Sequence, residues 1–231
     1  MLGINEVDIW HGKVIAEDAD YQAYWRVLDE AEQTQAKKFK NELLHKRYVE
    51  IHGRLRNRLA HRLNQSPEKI SIKKAAQGKP YLADYPELAF NLSHSADRVL
   101  IAMSWSCQLG VDIELCKPRI NVSGLVNKCF SEEEIAHWNQ LPETQKNQEF
   151  YRYWTRKEAF VKATGHGITL GLNQCVVNPE NPTEFLRVPE LCGNASAWHV
   201  LDIELGEGVC GAIVADKKLS VIGLTDFWLP T

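Results

Sequence analysis

Two short segments carry acidic and basic side chains at spacings that suit metal and phosphate chemistry. The segment G-V-D-I-E alternates as a strand does, so Asp112 and Glu114 project side by side from one face. The later segment K-E-A-F-V-K has helical spacing, which makes Glu158 and Lys162 neighbours at the edge of an apolar stripe. If the helix packs across the strand, three carboxylates and one ammonium converge. That arrangement suits a hard divalent cation that holds a phosphate ester.

Each of these features also has a structural explanation. Alternating acidic residues on a strand usually form a solvated face, and a Glu–Lys pair four residues apart is an ordinary pair on a helix surface. A further acidic residue, Glu134, follows Ser131 by three positions, which is the spacing of a capping box at a helix start. A capping role and a chemical role for Glu134 therefore both stay open.

A long helical pattern between residues 37 and 63 is strongly basic. Arg47, Arg54 and Arg58 fall on one flank of its apolar stripe, at the boundary between core and solvent. Such side chains usually bury their stems and keep their charges in water. The alternative is a phosphate-binding edge, since guanidinium groups bind phosphate oxygens bidentately. The patch has no interleaved aromatic residues and the formal net charge is −3, so we expect no nucleic-acid partner.

The order of the elements predicts an α+β protein. A long helix followed by strands occurs twice, which predicts two similar halves, residues 1–116 and 117–231, each a long helix on a small antiparallel sheet. In the first half we expect a meander of three consecutive antiparallel strands. These strands are residues 88–93, 98–105 and 109–116.

Composition narrows the class of protein. With 231 residues, 44% of them hydrophobic and 25% charged, the chain reads as a soluble globular protein of one large or two small domains. It has no long apolar run and no signal-peptide pattern, so we expect a cytoplasmic protein without a membrane segment. Six cysteines without C-x-x-C spacing argue against a zinc site and for free thiols.

Three motifs in order, G-V-D-I-E, F-S-x-x-E and W-T-x-K-E-A-x-x-K, resemble the 4′-phosphopantetheinyl transferases of the long, surfactin-synthetase-activating type. The G-K-P at residues 78–80 and the F-N-L-S-H-S at residues 90–95 agree with it, and matches run from about residue 36 to 170. The resemblance implies two halves related by a pseudo-two-fold axis, with coenzyme A in the cleft between them. Because the long form holds both halves in one chain, a monomer is expected.

The resemblance also implies a reaction and a set of site residues. The reaction is Mg²⁺-dependent transfer of 4′-phosphopantetheine from coenzyme A to a serine of an apo acyl, polyketide or peptidyl carrier protein, which leaves adenosine 3′,5′-bisphosphate. The implied metal ligands are Asp112, Glu114 and Glu158. The implied catalytic residues are Glu134, which would accept the serine proton, Lys162, which would assist the departing bisphosphate, and Glu158. The implied coenzyme A contacts are Arg47, Arg54, Lys79 and His94.

The chain departs from the family pattern at two places. Family members often carry basic residues just before residues 38–39, where this chain has Glu32, Gln33 and Gln35, and the tail after Gly171 has no matching motif. Two other functions use the same residues differently. A Mg²⁺-dependent nucleotide pyrophosphatase would deliver water in place of serine, and a pseudoenzyme would bind a carrier protein without catalysis.

Overall fold

The structure is a computed structural model that describes residues 2–15, 18–118 and 122–226. Its helices are α1 (Asp18–Val27), α2 (Glu30–Lys37), α3 (Glu42–Leu63), α4 (Val122–Cys129), α5 (Glu132–Gln140) and α6 (Glu143–Thr164). Its strands are β1 (Glu6–Lys13), β2 (Ile72–Lys74), β3 (Pro80–Leu82), β4 (Leu88–Ser95), β5 (Arg98–Trp105), β6 (Leu109–Leu115), β7 (Val176–Val177), β8 (Phe185–Arg187), β9 (His199–Glu204), β10 (Val209–Ala215) and β11 (Ser220–Asp226). No helix in the described ranges is both long and apolar enough to span a bilayer.

Two sheets form the centre of the protein. The first has the strand order β11-β1-β5-β4, and the second has the order β6-β10-β9. Neighbouring strands run antiparallel except β1 and β11, which are parallel. Two short ribbons, β2–β3 and β7–β8, form further strand pairs.

Helix α3 covers the outer face of the first sheet. Its apolar stripe, Ile51, Leu55 and Leu59, packs against Phe90 of β4 and Ile101 of β5 in one buried cluster. The helix begins at Glu42, later than the residue 37 that its pattern predicts. The side chain of Asn41 accepts a hydrogen bond from the Leu44 amide and caps α3 there, after α2 has ended.

Helix α6 covers the second sheet in the same way. Phe150, Phe160 and Ala163 pack in a buried cluster with Ala212 and Val214 of β10. Both α3 and α6 contain 22 residues. The predicted α+β class, with a long helix on a small sheet in each half, is confirmed.

The two sheets face each other across a third apolar cluster. Val7 and Leu100 of the first sheet lie with Val111, Ile113 and Ile213 of the second. Alternation sends the neighbours of these residues to the opposite faces, where the two long helices pack. The result is a stack of four layers: α3, the first sheet, the second sheet and α6.

The predicted three-strand meander is wrong for its third strand. β6 does not hydrogen-bond to β5 along its backbone but pairs with β10, so that Ile113 lies opposite Gly211. Strand alternation fixes which face of a strand is buried but not which neighbour it takes, and here the partner lies about a hundred residues away. β11 crosses the same boundary in the other direction to join β1. The division at residues 116 and 117 stays a prediction.

Candidate functional site

The candidate site lies where β4, β6 and α6 meet. The Lys162 ammonium on α6 donates to Asp112 Oδ1 on β6 at 2.7 Å and to Ser93 Oγ on β4 at 2.9 Å. The Ser93 hydroxyl donates in turn to the same Asp112 oxygen at 2.8 Å. The helix therefore packs across the strand and brings Lys162 to Asp112, while convergence of all three carboxylates on an ion stays a prediction.

A glycine makes this close approach possible. A Cβ atom at Gly110 would lie 2.1 Å from the Ala159 carbonyl oxygen and 2.3 Å from the Ala163 amide nitrogen. Both are backbone atoms of α6, so they cannot move aside as a flexible side chain can. The first residue of the G-V-D-I-E motif thus sets the distance between β6 and the helix that carries Glu158 and Lys162.

A row of polar side chains on β4 joins the edges of the two sheets. The Val111 amide donates to Asn91 Oδ1 at 2.8 Å, in place of a backbone acceptor. Further along, the Ser95 hydroxyl donates to Glu114 Oε2 at 2.6 Å. Ser93 and Ser95 were not predicted as site residues. The signal for them was present, because polar residues recur every second position in N-L-S-H-S and so share one face of the strand.

The three predicted metal ligands form one electrostatic cluster. Burial raises the pKa of the Asp112 carboxyl, although the Lys162 charge and the bonds from Lys162 and Ser93 act in the opposite direction. Burial also raises the pKa of Glu158, and the charges of Asp112 and Glu114 raise it further. Since each of these shifts opposes ionisation, a cation placed among the carboxylates would be favoured.

The donor set fits a hard divalent ion. Asp112 Oδ2 is buried and has no hydrogen-bond partner in the structure, which leaves one carboxylate oxygen without compensation. All three ligands would be carboxylate oxygens, the donors that Mg²⁺ prefers. Across the described ranges, no three acidic, histidine or cysteine side chains already converge at ion-binding spacing. The side chains would have to turn toward one another to chelate an ion.

A cavity of about 320 Å³ opens beside this cluster. Lys79 and Asn91 line it from the first half of the chain, and Glu158 and Lys162 line it from α6. Lys79 Nζ donates to the Ala163 carbonyl at 2.5 Å, and burial lowers the pKa of Lys79 to about 8. The structure therefore brings Lys79, which the sequence singled out only by resemblance, to the same cavity as Glu158 and Lys162.

Arg47 and His94 belong to the same charged neighbourhood. Desolvation lowers the pKa of His94, and the positive charges of Lys162 and Arg47 lower it further, while Asp112 acts against them. Arg47 Nε is buried without a hydrogen-bond partner. An unsatisfied guanidinium donor beside an imidazole and an ammonium suits a phosphate group, which offers several acceptor oxygens.

Arg54 has partners within its own helix and on α1. Its Nε and Nη2 donate to Glu50 Oε1 at 3.0 and 2.6 Å, and its guanidinium lies over the ring of Tyr24. The pair is buried in the α1–α3 contact. Contact between Arg54 and coenzyme A stays a prediction.

Glu32, an acidic residue where family members often carry basic ones, has a structural role in this protein. Glu32 forms a capping box with Asp29 at the start of α2. Its carboxylate also accepts from Arg56 Nε at 2.5 Å, and Arg56 Nη2 donates to Asp29 at 2.5 Å. Because Arg56 is completely buried, these two acids compensate a cation in the core.

Glu134 is completely buried, and contacts hold both of its oxygens. Oε2 accepts from the Ser131 amide at 2.8 Å and pairs with Lys157 Nζ at 2.7 Å, while Oε1 accepts from the Val177 amide at 2.8 Å. The predicted capping box with Ser131 is confirmed. All these contacts lie in the core of the second half, and the role of proton acceptor stays a prediction.

Family comparisons cover both halves of the chain. A model for the 4′-phosphopantetheinyl transferase superfamily matches residues 108–214. A second model, for the N-terminal part of 4′-phosphopantetheinyl transferases, matches residues 15–106. The two matches meet just before β6, the strand of the G-V-D-I-E motif.

Individual relatives agree with the family models. The chain is 31% identical over 215 residues to the 4′-phosphopantetheinyl transferase HetI of Nostoc sp., a match that covers 91% of this chain and 87% of the relative. It is 42% identical over 107 residues to AcpT of Escherichia coli K12, covering 46% and 53% of the two chains. It is 35% identical over 124 residues to psf-1 of Bacillus pumilus, covering 53% and 52%. The protein is therefore an enzyme of the 4′-phosphopantetheinyl transferase family.

Proposed function

We propose that this protein transfers 4′-phosphopantetheine from coenzyme A to a serine hydroxyl of an apo acyl, polyketide or peptidyl carrier protein. Adenosine 3′,5′-bisphosphate is the second product. The observation that supports this best is the placement of Lys79, Glu158 and Lys162 around one cavity, with Asp112 bonded to Lys162 at its edge. Such a site offers carboxylates that can bind a metal ion, and it also offers cationic side chains that can bind phosphates.

Asp112, Glu114 and Glu158 would hold Mg²⁺. The orphaned Asp112 oxygen supports this assignment, and so does the raised pKa of Glu158, which burial causes first and the charges of Asp112 and Glu114 increase. When bound, the ion neutralises negative charge on the diphosphate of coenzyme A, which otherwise repels an incoming serine oxygen. Ser93 and Ser95 would orient Asp112 and Glu114 through the hydrogen bonds described above.

Lys162 would stabilise the departing bisphosphate. Its ammonium lines the cavity and already lies in hydrogen-bond contact with Asp112 and Ser93. An ammonium is a compact hydrogen-bond donor, and it can stabilise the negative charge that develops on a phosphate oxygen. We assign Lys162 to the leaving group for this reason.

Arg47, Lys79 and His94 would anchor the nucleotide phosphates. The unpartnered Arg47 Nε supplies a donor, and Lys79 and His94 lie within the same electrostatic neighbourhood as Lys162. We assign Arg54 a lesser part, because Glu50 already accepts two of its hydrogen bonds.

The serine proton needs an acceptor, and two carboxylates were predicted to be catalytic. Glu158 lines the cavity, where a substrate hydroxyl can approach its carboxylate. Glu134 would first have to release Lys157 inside the core. We therefore propose Glu158 as the acceptor and Glu134 as the residue that holds α5 against α6.

The proposal also covers the oligomeric state, the cellular location and the partners of the protein. Because residues from both halves of one chain line the cavity, no second copy is needed to complete it, and we propose a monomer. We also propose a cytoplasmic location and no nucleic-acid partner.

Mass spectrometry of an apo carrier protein tests the proposed function. The carrier is incubated with this protein, coenzyme A and Mg²⁺, with the Asp112→Ala variant as the control. A carrier that gains one phosphopantetheine group supports transfer. Release of the bisphosphate without a modified carrier would indicate the pyrophosphatase, and equal turnover by Asp112→Ala would remove the metal site from the mechanism.

A further inference from the structure

Two cysteines lie side by side on neighbouring strands of the second sheet. The Sγ atoms of Cys116 and Cys210 are 2.8 Å apart. The Cys116 amide donates to the Gly208 carbonyl at 2.8 Å, which extends the β6–β10 ladder by one residue, and Cys210 lies opposite Glu114. Both side chains therefore project from one face of the sheet, and the ladder holds their backbones in place.

The distance between the two sulfur atoms is short for separate thiols. A disulfide bond is about 2.05 Å long, so the atoms need to approach by less than an ångström to bond. The two cysteines lie 94 positions apart in the sequence, Cys116 at the end of the first half and Cys210 within the second. Their proximity is a product of the fold and not of sequence neighbourhood.

An oxidant can reach the pair. Cys116 is partly buried, and Cys210 lines an open cavity of about 510 Å³ together with Gln148, Arg152 and Asp202. This cavity lies between α6 and the strands β9 and β10, and it shares no lining residue with the cavity that holds Glu158 and Lys162. The two cavities are therefore separate, although Cys210 lies opposite Glu114 in the β6–β10 ladder.

We propose that Cys116 and Cys210 form a modification site, an intramolecular disulfide made under oxidising conditions and opened by small thiols. With a peroxide as oxidant, each sulfur loses its hydrogen and one S–S bond forms. The O–O bond of hydrogen peroxide breaks, takes up the two electrons and two protons, and leaves two molecules of water. The bond fastens the end of β6 to β10 and so stabilises the folded chain, because it restricts the unfolded one.

Oxidation of the full-length protein tests this proposal. Purified protein is treated with a small excess of hydrogen peroxide, free thiols are blocked, and peptides are mapped by mass spectrometry without reduction. We expect a cross-linked peptide that joins Cys116 to Cys210, a loss of two hydrogens in the intact mass, and recovery of both thiols with dithiothreitol. The thermal midpoint of the oxidised protein should rise by about 5 °C or more.

Variants make the test specific. Cys116→Ser and Cys210→Ser should each abolish the cross-link and the rise in midpoint. Cys107→Ser removes another partly buried cysteine, and this variant should keep both the cross-link and the rise in midpoint. Single-site oxidation, cross-links between molecules, or an unchanged midpoint in the cross-linked wild type would overturn the proposal. None of these readouts is transferase activity. The disulfide can therefore be supported or refuted independently of the proposed function.

Discussion

The Ser95 hydroxyl donates to Glu114 across the junction of the two sheets, at 2.6 Å. Ser95 Oγ also accepts from the Leu115 amide at 3.4 Å, so it ties both the side chain and the backbone of β6 to β4. If Glu114 is a metal ligand, Ser95 orients it from behind. Such supporting hydrogen bonds commonly change metal affinity by about 10–100-fold.

Ser95→Ala should therefore weaken magnesium use more than it weakens the fold. We expect the Mg²⁺ concentration for half-maximal activity to rise about tenfold, with kcat at saturating Mg²⁺ much less affected. Ser104→Ala is the matched control, since Ser104 is a buried strand serine that donates to the Glu6 carbonyl, away from the carboxylates. The same rise in both variants would show that Ser95 acts through general stability.

Lys162→Ala should lower turnover without raising the Mg²⁺ requirement. The ammonium is assigned to the leaving phosphate, so its loss should reduce kcat about 10²–10⁴-fold. Asp112→Ala should differ, because it removes a proposed ligand and should raise the Mg²⁺ requirement as well as lower kcat. Magnesium titrations of initial rates separate the two variants.

Lys146→Ala controls for the loss of a lysine from the same helix. Lys146 pairs with Glu143 in the first turn of α6 and lies over the Trp138 ring. Its removal should leave kcat within about twofold of wild type, because Lys146 neither lines the cavity of Glu158 and Lys162 nor bonds to Asp112. Wild-type activity in Lys162→Ala would remove that residue from the mechanism.

Gly110→Ala should destabilise the protein and disturb the site together. The added methyl group would lie 2.1 Å from the Ala159 carbonyl oxygen, so α6 would have to move away from β6. We expect a loss of about 3 kcal/mol or more in the free energy of unfolding, from urea titrations, and reduced activity. Gly211→Ala is a matched control on β10, where the nearest atom is the flexible end of Leu205 at 2.8 Å. Equal effects of the two substitutions would contradict this account of the motif glycine.

Local patterns in the sequence were enough to predict the main helices and strands and which side of each is buried. Alternation predicts β6, and helical spacing predicts that Glu158 and Lys162 share a side of α6. The capping signature at Ser131 predicts the start of α5, and the structure confirms it. These features depend on residues only two to four positions apart, which is why a single sequence reveals them.

Such local patterns could not predict which strands pair with each other when they lie far apart in the sequence. The β6–β10 ladder and the bond from Ser95 to Glu114 depend on which strands meet, and the period of a strand does not encode its neighbour. The resemblance supplied Lys79 as a candidate, but only the fold shows that it shares a cavity with Glu158. The burial of Glu134 was also invisible, because its partner Lys157 reads as one more basic residue on a helix.

His52 should make the protein sensitive to acid. Burial lowers the pKa of His52 from its ordinary value of 6.5 to about 4, while Nδ1 donates to the Tyr48 carbonyl at 2.9 Å. The folded state thus favours the neutral ring. This contribution to stability is complete above pH 6.5 and is lost as the pH falls through 4, a change of about 3 kcal/mol.

The measurement is the free energy of unfolding in urea at pH 7 and near pH 4. His52→Gln keeps an amide donor for Tyr48 but cannot titrate, so its stability should fall less over this range. His61→Gln, an exposed histidine on the same helix, should keep the wild-type pH dependence. An unchanged pH dependence in His52→Gln would show that other groups carry the acid sensitivity.

Glu134→Gln tests whether the buried carboxylate is structural or catalytic. The substitution leaves the Lys157 ammonium in the core without its counter-charge, and Lys157 is completely buried. We expect a loss of about 3–5 kcal/mol in the free energy of unfolding. Since we assign the serine proton to Glu158, kcat of the folded Glu134→Gln variant should stay within about tenfold of wild type, whereas Glu158→Gln should lose about 10²–10⁴-fold.

The double variant Glu134→Gln with Lys157→Met separates the two roles further. Removing both charges replaces a buried ion pair by neutral groups, which is often close to neutral for stability, so the double variant should be more stable than Glu134→Gln alone. If Glu134 acts only through the core, activity should return with stability. A double variant that folds as well as wild type but has lost turnover a thousandfold would restore Glu134 as the proton acceptor if the single variant Lys157→Met keeps its turnover, because the loss then follows the carboxylate and not the ammonium.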